Sequence, residues 1–349
     1  MKELVLRVEN LTKLFPLKKS LLSRGPDSFV HAVEDVSLDV YHGEVLGVVG
    51  ESGCGKTTVG RLLTRLETPT RGSIRFMDVD IATLRKKNLR QFRRRMQMIF
   101  QDPYESLNPR FTVEQAVGDP LIVHEPDQSD EERRARIVKA LEDAGLRPAE
   151  DIMDRYPHEM SGGQRQRAAI ARALVVDPKF IVADEPVSML DVSIRAGVMN
   201  LMLDLRDKYG IPYIFITHDV AVARYMSDRI AVMYLGNIVE VGETEEIIFK
   251  PAHPYTRALL SAVPVPDPDY EHRDVPIKGD IPSPINLPKG CRFRQRCPYA
   301  QEACSKPDLG PVEVSKGHFV LCWFAQKFHE NPPDIEMPSM DMGDEGEGN

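Results

Sequence analysis

The sequence predicts an α/β fold built around a mainly parallel β-sheet. Short, mostly apolar runs predict the buried strands of such a sheet, at residues 44–49, 97–101, 180–184 and 211–217. The segment after the first run, residues 57–66, has apolar residues at the spacing of an amphipathic helix. A strand followed by a helix is the repeating unit of α/β sheets, so these observations together indicate the fold class.

The composition limits the kind of protein this is. With 349 residues, two domains are expected rather than one core. Apolar residues make up 42% and charged residues 28%, the proportions of a globular protein, and the net charge of −8 gives no general attraction to nucleic acid. No apolar run reaches the about 18 residues of a transmembrane helix, and the N-terminus lacks the long apolar core of a signal peptide. We therefore expect a cytoplasmic protein that contacts a membrane only through partner proteins.

A glycine-rich segment after the first predicted strand fits the pattern G-x-x-x-x-G-K-[ST]. The segment is Gly50-Glu51-Ser52-Gly53-Cys54-Gly55-Lys56-Thr57, followed by Thr58. Its glycines allow the backbone to wrap a triphosphate, and the N-terminus of the next helix adds partial positive charge. Lys56 is expected to reach the β- and γ-phosphates, and the Thr57 hydroxyl to hold Mg²⁺. The segment therefore predicts binding of a nucleoside triphosphate, with an ordinary glycine turn as the alternative.

Other elements surround this unit in the predicted N-terminal domain. Strands are predicted at residues 4–8, 32–40 and 73–76, a loop at 16–30, and a hairpin at 229–240 that turns at Gly236 and Asn237. The basic segment 84–95 has apolar residues at helical spacing, which favours a solvated helix face over a nucleic-acid patch.

A helical insertion is predicted between residues 102 and 175. Prolines interrupt its first part, and Ser129 to Glu132 then form a capping box before a helix that runs to Gly145. The insertion closes with a strongly helical segment, residues 168–175, which follows Ser161-Gly162-Gly163-Gln164. Two glycines behind a serine at a helix start form an anion site of the same physical type as the phosphate loop.

Polar side chains follow three of the predicted strands. Gln101 ends the second run, Asp184 and Glu185 end the third, and His218 follows the fourth. In parallel α/β sheets, ligands lie at the edge where the strands end. Each of these side chains alone has the alternative interpretation of an ordinary cap, but together they favour one shared site.

The C-terminal part has a different character. Residues 251–288 are rich in proline and predict an extended connector, and the tail over residues 331–349 is acidic and predicts disorder. Between them lie four of the five cysteines, Cys291, Cys297, Cys304 and Cys322. In a reducing cytosol, clustered thiols favour a metal over disulfides.

The order of these motifs resembles that of an ABC transporter nucleotide-binding domain over residues 1–250. The matching residues are the phosphate loop, Gln101, Ser161-Gly162-Gly163-Gln164, Asp184-Glu185, Asp191 and His218. Residues 251–330 resemble the C-terminal extension of oligopeptide and dipeptide importer ATPases, through His253-Pro254-Tyr255 and the cysteine segment. The resemblance implies a P-loop NTPase fold with an ABC ATPase core and a helical insertion, plus a small C-terminal extension that contains the cysteines.

The resemblance also implies a role for each motif. Glu185 would act as general base, His218 would contact the γ-phosphate, and Gln101 would link Mg²⁺ to the surface that docks a membrane subunit. Mg²⁺ would be held by Thr57, Gln101 and Asp184. The residues implied to contact ATP are Phe15, which would stack on adenine, and Gly50, Ser52, Gly53, Gly55, Lys56, Thr57, Thr58, Ser161, Gly162, Gly163, Gln164 and Asp191. Two such subunits would face head to tail, with Ser161 and Gly163 of one on the ATP of the other.

The cysteines have the spacing C-x₅-C-x₆-C-x₁₇-C, which lacks the short C-x₂-C pair common in zinc sites. In several relatives this segment is thought to hold a [4Fe–4S] cluster, and four thiolates suit one. The resemblance therefore implies an iron–sulfur cluster at the four cysteines, with zinc and plain buried thiols as alternatives.

These observations predict an ATP-binding and ATP-hydrolysing subunit that energises an ABC importer for oligopeptides or dipeptides. The implied partners are a paralogous ATPase subunit, or a second copy, with two integral membrane permease subunits and an extracellular or periplasmic solute-binding protein. The chain would then lie peripherally at the cytoplasmic face of the cell membrane and bind no nucleic acid. The alternatives are a soluble ABC ATPase of translation or DNA repair and an iron–sulfur regulatory protein. A single cassette without a heptad run disfavours the translation and repair classes.

Overall fold

Two β-sheets and a group of helices make up the fold. The computed structural model describes residues 3–17, 28–263, 275, 277–285, 287–307 and 309–333. The strands are β1 (Leu4–Pro16), β2 (Phe29–Tyr41), β3 (Val45–Val49), β4 (Arg71–Phe76), β5 (Val79–Asp80), β6 (Met96–Ile99), β7 (Phe180–Asp184), β8 (Tyr213–Ile216), β9 (Arg229–Tyr234), β10 (Asn237–Glu243), β11 (Val312–Ser315) and β12 (His318–Val320). The α-helices are α1 (Lys56–Leu63), α2 (Lys86–Arg95), α3 (Pro103–Ser106), α4 (Val113–His124), α5 (Asp130–Asp143), α6 (Glu150–Met153), α7 (Gly162–Leu174), α8 (Val192–Tyr209), α9 (Val220–Met226), α10 (Thr244–Phe249), α11 (Pro254–Ser261) and α12 (Ala325–Glu330).

The larger sheet contains the strands that lead to the predicted site. Its order is β11-β12-β10-β9-β3-β8-β7-β6. The five strands β6, β7, β8, β3 and β9 are parallel, whereas β10, β12 and β11 pair antiparallel at one side. Every residue of β3 and β7 is buried, as expected of apolar strands that are covered on both faces. The four buried strands that the sequence predicts are therefore confirmed as β3, β6, β7 and β8.

The smaller sheet is antiparallel and packs over α1. Its order is β2-β1-β4-β5, and apolar residues such as Leu6, Val36 and Phe76 share a buried cluster with Leu46 and Leu62. β1 and β2 are longer than the strands predicted at residues 4–8 and 32–40, because their pairing continues through register shifts as far as Pro16 and Phe29. The predicted loop at residues 16–30 is thus shorter than expected, and its residues 18–27 lie outside the described part.

The helical insertion lies between β6 and β7, as predicted. Capping boxes begin three of its α-helices: Thr112 and Gln115 at α4, Ser129 and Glu132 at α5, and Ser161 and Gln164 at α7. In each capping box the two residues satisfy backbone N–H groups that a helix start otherwise leaves unpaired. Because Ser161 provides such a cap, α7 begins at Gly162, earlier than the predicted residue 168.

The prediction of an extended connector over residues 251–288 is wrong for residues 254–261. Residues 254–261 form the helix α11, in which Pro254 occupies the first turn and the His253 ring accepts the Tyr255 amide at 3.0 Å. Proline has no N–H to lose at this position and its backbone angle suits a helix, so it starts the helix here instead of breaking it. Residues 264–274, 276 and 286 of the predicted connector lie outside the described part of the chain, as do residues 334–349 of the predicted tail.

The C-terminal segment joins the larger sheet instead of forming a separate core. β12 pairs with β10, where Glu240 lies opposite Val320 and Val241 opposite Phe319. Phe293 and Cys297 belong to the same buried cluster as Tyr234 and Tyr255. Among the residues that the structure describes, no helix combines the length and the apolar character needed to cross a membrane.

Candidate active site

The phosphate loop connects β3 to α1 and depends on two of its glycines. Gly50 has φ 151° and Gly55 has φ 108°, backbone conformations that other residues rarely adopt. A Cβ atom at Gly50 would lie 2.2 Å from the Met233 carbonyl oxygen, and one at Gly55 would lie 2.2 Å from the Ala32 carbonyl oxygen. The loop is therefore held tightly between β9 and β2, and only glycine fits at these two positions.

Lys56 and Thr57 begin α1 immediately after the loop. The Lys56 side chain is buried, and its ammonium donates hydrogen bonds to the carbonyl oxygens of Gly50 at 2.7 Å and Glu51 at 3.1 Å. The Thr57 hydroxyl lies 3.1 Å from the Asp184 carboxylate at the end of β7. Burial raises the pKa of Asp184 above its ordinary value, although the Thr57 hydrogen bond acts in the opposite direction. Thr57 and Asp184 thus lie together, with oxygen ligands of the kind that Mg²⁺ prefers.

The three predicted catalytic residues meet at one carboxylate oxygen. Oε2 of Glu185 accepts a hydrogen bond from the Gln101 side-chain amide at 3.1 Å, and Nδ1 of His218 lies 3.1 Å from the same oxygen. Glu185 itself has φ 47°, and its backbone N–H donates to the Ile216 carbonyl at 2.9 Å. The ends of β6, β7 and β8 therefore bring Gln101, Glu185 and His218 together next to Asp184, as the sequence predicts of strand ends in one parallel sheet.

The Ser161–Gln164 segment lies elsewhere, at the N-terminus of α7. Within the described residues, no hydrogen bond or ion pair joins it to the phosphate loop of the same chain. It faces α8 instead: a Cβ atom at Gly163 would lie 2.6 Å from Cγ2 of Ile194, and one at Gly162 would lie 3.7 Å from Leu190. Asp191 occupies the N-cap position of α8 without a side-chain hydrogen bond to the helix, and it is exposed. Ser161, Gly162, Gly163, Gln164 and Asp191 thus form a second group, separate from the phosphate loop.

The remaining predicted contacts are distributed along the loop and β1. Ser52 and Gly53 are exposed in the loop, and Thr58 is half-buried in the first turn of α1. Phe15 is half-buried and pairs with Val30, two residues before the Ala32 carbonyl that touches Gly55. The Lys13 ammonium lies 4.7 Å from the centre of the Phe15 ring. The register of β1 and β2 thus brings Phe15 near the loop.

The C-terminal segment contributes contacts to the phosphate loop that sequence reasoning missed. The Glu51 backbone N–H donates to the Tyr255 hydroxyl at 2.9 Å, and the Glu51 carboxylate pairs with both terminal nitrogens of the Arg296 guanidinium. The motif His253-Pro254-Tyr255 is recognisable in the sequence, but it does not predict a contact with Glu51. The loop is therefore fixed from the C-terminal side as well as by its own sheet.

The four C-terminal cysteines line one cavity. Cys291, Cys297, Cys304 and Cys322 line it together with apolar side chains such as Phe293 and Phe328. Burial, with a smaller contribution from the neighbouring cysteines, raises the pKa of Cys297 to about 11 and that of Cys322 to about 12. The thiols are therefore close enough to repel one another when ionised, a cost that a bound metal cation would remove.

The spacing of the sulfur atoms distinguishes between two kinds of metal centre. Four thiolates on one zinc ion, at about 2.3 Å from the metal, would lie only about 3.8 Å from one another. Within the described part of the chain, no three of these cysteine sulfurs lie within 4.8 Å of one another. In an iron–sulfur cluster each thiolate binds a different iron, so the sulfurs stand further apart. The described cysteine sulfurs therefore stand further apart than the ligands of a single zinc ion would.

Comparison with known proteins gives two matching families. The family model described as "ABC transporter" matches residues 33–188, and the one described as "Oligopeptide/dipeptide transporter, C-terminal region" matches residues 239–304. A probable peptide ABC transporter ATP-binding protein of Sinorhizobium fredii is 48% identical over 92% of this chain and 90% of its own length. A dipeptide transport ATP-binding protein of Haemophilus influenzae is 45% identical over 91% of this chain and 96% of its own length.

Solved structures match the cassette portion of the fold. The ATP-binding cassette MJ0796, solved as a dimer in a post-hydrolysis state with ADP and phosphate, has a TM-score of 0.60 and 30% sequence identity. This match covers 68% of the present chain and 98% of that one. The protein cbiO1 from Clostridium perfringens, part of an ABC transporter complex, also has a TM-score of 0.60, with 28% identity over 70% of this chain and 91% of its own.

Proposed function

The chain belongs to the family of ABC transporter ATP-binding proteins and is an ATPase, and on this basis we propose that its hydrolysis of ATP energises a peptide importer. Two findings support peptides as the solute class. The relatives that align over most of the chain are named for peptide or dipeptide transport. The C-terminal family match is likewise described by oligopeptide and dipeptide transport.

The arrangement at the ends of β6, β7 and β8 supports a division of roles in hydrolysis. Thr57 and Asp184 would hold Mg²⁺ on the triphosphate, with Gln101 completing the set. Glu185 would accept a proton from the attacking water, and Gln101 and His218 orient its carboxylate through the same oxygen. The protein has little covalent chemistry to perform, because positioning and charge neutralisation dominate phosphoryl transfer. The observation that carries this proposal is the shared contact of Gln101 and His218 with Glu185 beside the Thr57–Asp184 pair.

The separation of the two glycine motifs supports action by a pair of subunits. Ser161 and Gly163 lie on α7, away from the phosphate loop of their own chain, and their role would be to contact the ATP of a second cassette. Two apolar side chains beside Asp191 are highly exposed, Met189 at 63% and Val192 at 80%. Apolar side chains exposed next to a motif mark a surface that a partner covers. The partner would be a paralogous ATPase subunit or a second copy of this chain.

The wider assembly follows from the same family relationship. The ATPase pair would bind two integral membrane permease subunits, with Gln101 near the docking surface, and an extracellular or periplasmic protein would deliver the solute. The chain would then be peripheral at the cytoplasmic face of the membrane. Cys291, Cys297, Cys304 and Cys322 would hold a [4Fe–4S] cluster, which would supply an electron-transfer or redox-sensing centre.

Purification from membranes tests this function directly. A tagged full-length chain, isolated from detergent-solubilised membranes, should bring with it two integral membrane proteins and a second cassette. The ATPase activity of this assembly should rise on addition of its solute-binding protein loaded with peptide and stay low with the unloaded protein. Recovery with ribosomes or DNA, and without membrane proteins, would contradict the proposal.

A further inference from the structure

Three side chains that the nucleotide site does not use converge on the outer side of the C-terminal segment. They are Glu246 on α10, His318 on β12 and His329 on α12, and one donor atom from each lies within 4.8 Å of the other two. Nε2 of His329 lies 3.4 Å from Oε2 of Glu246, and Nδ1 of His318 lies 3.9 Å from the same oxygen. Two imidazoles and a carboxylate from three separate elements thus face one point.

His318 is oriented by a buried carboxylate on its far side. Its Nε2 lies 2.8 Å from Oε1 of Glu240. The Glu240 side chain is completely buried, and its carboxylate also accepts the backbone N–H groups of Ala252, at Oε1, and of His253, at Oε2. The contact with Glu240 places a proton on Nε2, and in the neutral ring that tautomer leaves a lone pair on Nδ1. That Nδ1 atom is buried and has no hydrogen-bond partner among the described residues. An unpaired acceptor in this position costs free energy unless something binds it.

The other two donors remain accessible from solvent. The side chain of Glu246 is 30% exposed and that of His329 is 15% exposed. Lys250 pairs with the other carboxylate oxygen of Glu246 at 3.0 Å, which leaves Oε2 directed to the histidines, with the Ser315 hydroxyl 3.4 Å away. An ion could therefore enter from outside, and a water molecule could complete its coordination.

We propose that Glu246, His318 and His329 bind a divalent transition-metal ion, with zinc as the ion that the donor set fits best. Nitrogen and oxygen donors about 2.0–2.1 Å from a tetrahedral zinc ion stand about 3.3 Å apart, close to the 3.4 and 3.9 Å separations in the structure. The Glu240–His318 contact supports the assignment, because metal-binding histidines commonly donate their second ring N–H to a carboxylate. This site is distinct from the cysteine cavity, which the four cysteines line and which none of Glu246, His318 and His329 lines.

A metal at this point would join the three elements α10, β12 and α12. His318 lies four residues before Cys322 on the same stretch of chain, and His329 follows Phe328, which lines the cysteine cavity. The ion would thus fasten the outer wall of that cavity to α10 of the cassette. Because it binds the folded arrangement and not the unfolded chain, it would stabilise the C-terminal segment by mass action.

The competing interpretation is an ion pair between protonated His329 and Glu246 without a metal. This arrangement satisfies His329 and Glu246, but it leaves Nδ1 of His318 unpaired. The two interpretations differ in whether metal binding depends on His329.

Cobalt(II) binding to the full-length chain distinguishes them, because cobalt reports its donor atoms by absorption. Protein treated with chelator and then dialysed free of it should bind one cobalt ion that shows visible d–d bands without the near-ultraviolet charge-transfer band of thiolate ligands. Zinc should displace this cobalt, and zinc should raise the midpoint of thermal unfolding. His329→Gln should abolish the thiolate-free spectrum and the thermal shift. The affinity loss should exceed the roughly 10–100-fold typical of mutating residues that only support a metal ligand.

Two further variants keep the result interpretable. Glu246→Gln preserves the shape of the side chain and should lose the signal as His329→Gln does, while His158→Gln, the same change at an exposed histidine elsewhere, should retain it. Nucleotide binding by all three variants checks that each is folded. A wild-type chain whose cobalt spectrum shows thiolate ligation alone, or a folded His329→Gln variant that binds cobalt like the wild type, would overturn the proposal.

Discussion

Arg296 and Glu51 form a two-point ion pair that joins the cysteine segment to the phosphate loop. Nη1 of Arg296 lies 2.8 Å from Oε2 of Glu51 and Nη2 lies 3.1 Å from Oε1, although the two residues are 245 positions apart in the chain. Arg296 directly precedes Cys297, and Glu51 lies within the loop that the Lys56 ammonium contacts. The pair is therefore a direct contact between the cysteine segment and the loop, made by one planar guanidinium.

Removing the Arg296 guanidinium is expected to weaken nucleotide binding. Arg296→Met keeps an unbranched apolar stem but leaves the Glu51 carboxylate unpaired beside the phosphates, where it would repel them. Because Glu51 is partly exposed, we expect a loss of a few-fold to about tenfold in affinity instead of the larger effect of a fully buried pair. Equilibrium titration with a fluorescent ATP analogue measures it. Arg294→Met serves as the control, since Arg294 also borders the cysteine cavity, and equal affinities of the two variants would exclude the coupling.

Glu185→Gln is expected to keep ATP binding and to stop turnover. Glutamine retains the size of the side chain and can still hydrogen-bond His218, but it cannot accept the proton of the attacking water. Loss of a general base typically costs about 10²–10⁴-fold in rate. Phosphate release by the assembled transporter measures turnover, and nucleotide affinity is measured on the same sample. Turnover within a few-fold of the wild type would remove Glu185 from the role assigned here.

Gly162→Asp is expected to spare ATP binding by an isolated subunit and to block the pairing of two ATP-loaded subunits. A Cβ atom at Gly162 meets only Leu190, at an ordinary contact distance of 3.7 Å. An aspartate in the first turn of α7 is favourable to the helix itself, so the fold should tolerate it. Its charge would, however, repel the γ-phosphate of a partner's ATP.

Size-exclusion chromatography with ATP, in the Glu185→Gln background, measures this pairing, and Gly162→Ala is the matched neutral change. We expect dimers with alanine and monomers with aspartate. If the aspartate variant instead loses nucleotide affinity as a monomer, the second glycine motif acts on the ATP of its own chain.

The cysteine cavity makes a separate prediction about metal content. Full-length protein purified without oxygen should contain about four iron atoms and absorb broadly near ~400 nm, as thiolate-bound iron does. Cys304→Ser should lower the iron content and loosen residues 290–325, as seen by hydrogen exchange, while Cys54→Ser should leave the iron unchanged because Cys54 is buried in the phosphate loop. Stoichiometric zinc bound by thiolates, with no iron, would assign the cavity to a structural zinc ion.

The nucleotide site was predictable because its information is local. The glycine pattern, the flanking apolar strand and the helix that follows lie within a few residues of one another, and each determines backbone geometry directly. Gln101, Glu185 and His218 are far apart in the chain, but each follows a strand of one parallel sheet, and this shared position implies their proximity. In the structure these three side chains lie together at Oε2 of Glu185.

The C-terminal contacts were not predictable in the same way. The Glu51–Arg296 pair depends on how the segment around Cys297 packs against the phosphate loop, and the Glu246–His318–His329 group depends on how β12 and α12 fold back onto α10. No local pattern encodes either arrangement. The prediction at Pro254 was wrong because the local pattern there is ambiguous. Proline is compatible with both an extended chain and the first turn of a helix. Only burial of α11 under Phe293 decides between them.

The pairing of β12 with β10 has a practical consequence for shortened versions of this chain. A chain that ended after β10 would keep every motif of the nucleotide site, yet its larger sheet would end in a strand with free backbone N–H and C=O groups. Such an uncovered edge is a template for strands of other molecules and leads to aggregation. It would also expose the Glu240 carboxylate, which in the intact protein accepts three hydrogen bonds. Aggregation alone would therefore explain a loss of ATPase activity on truncation. Such a loss would not by itself show regulation by the cysteine segment.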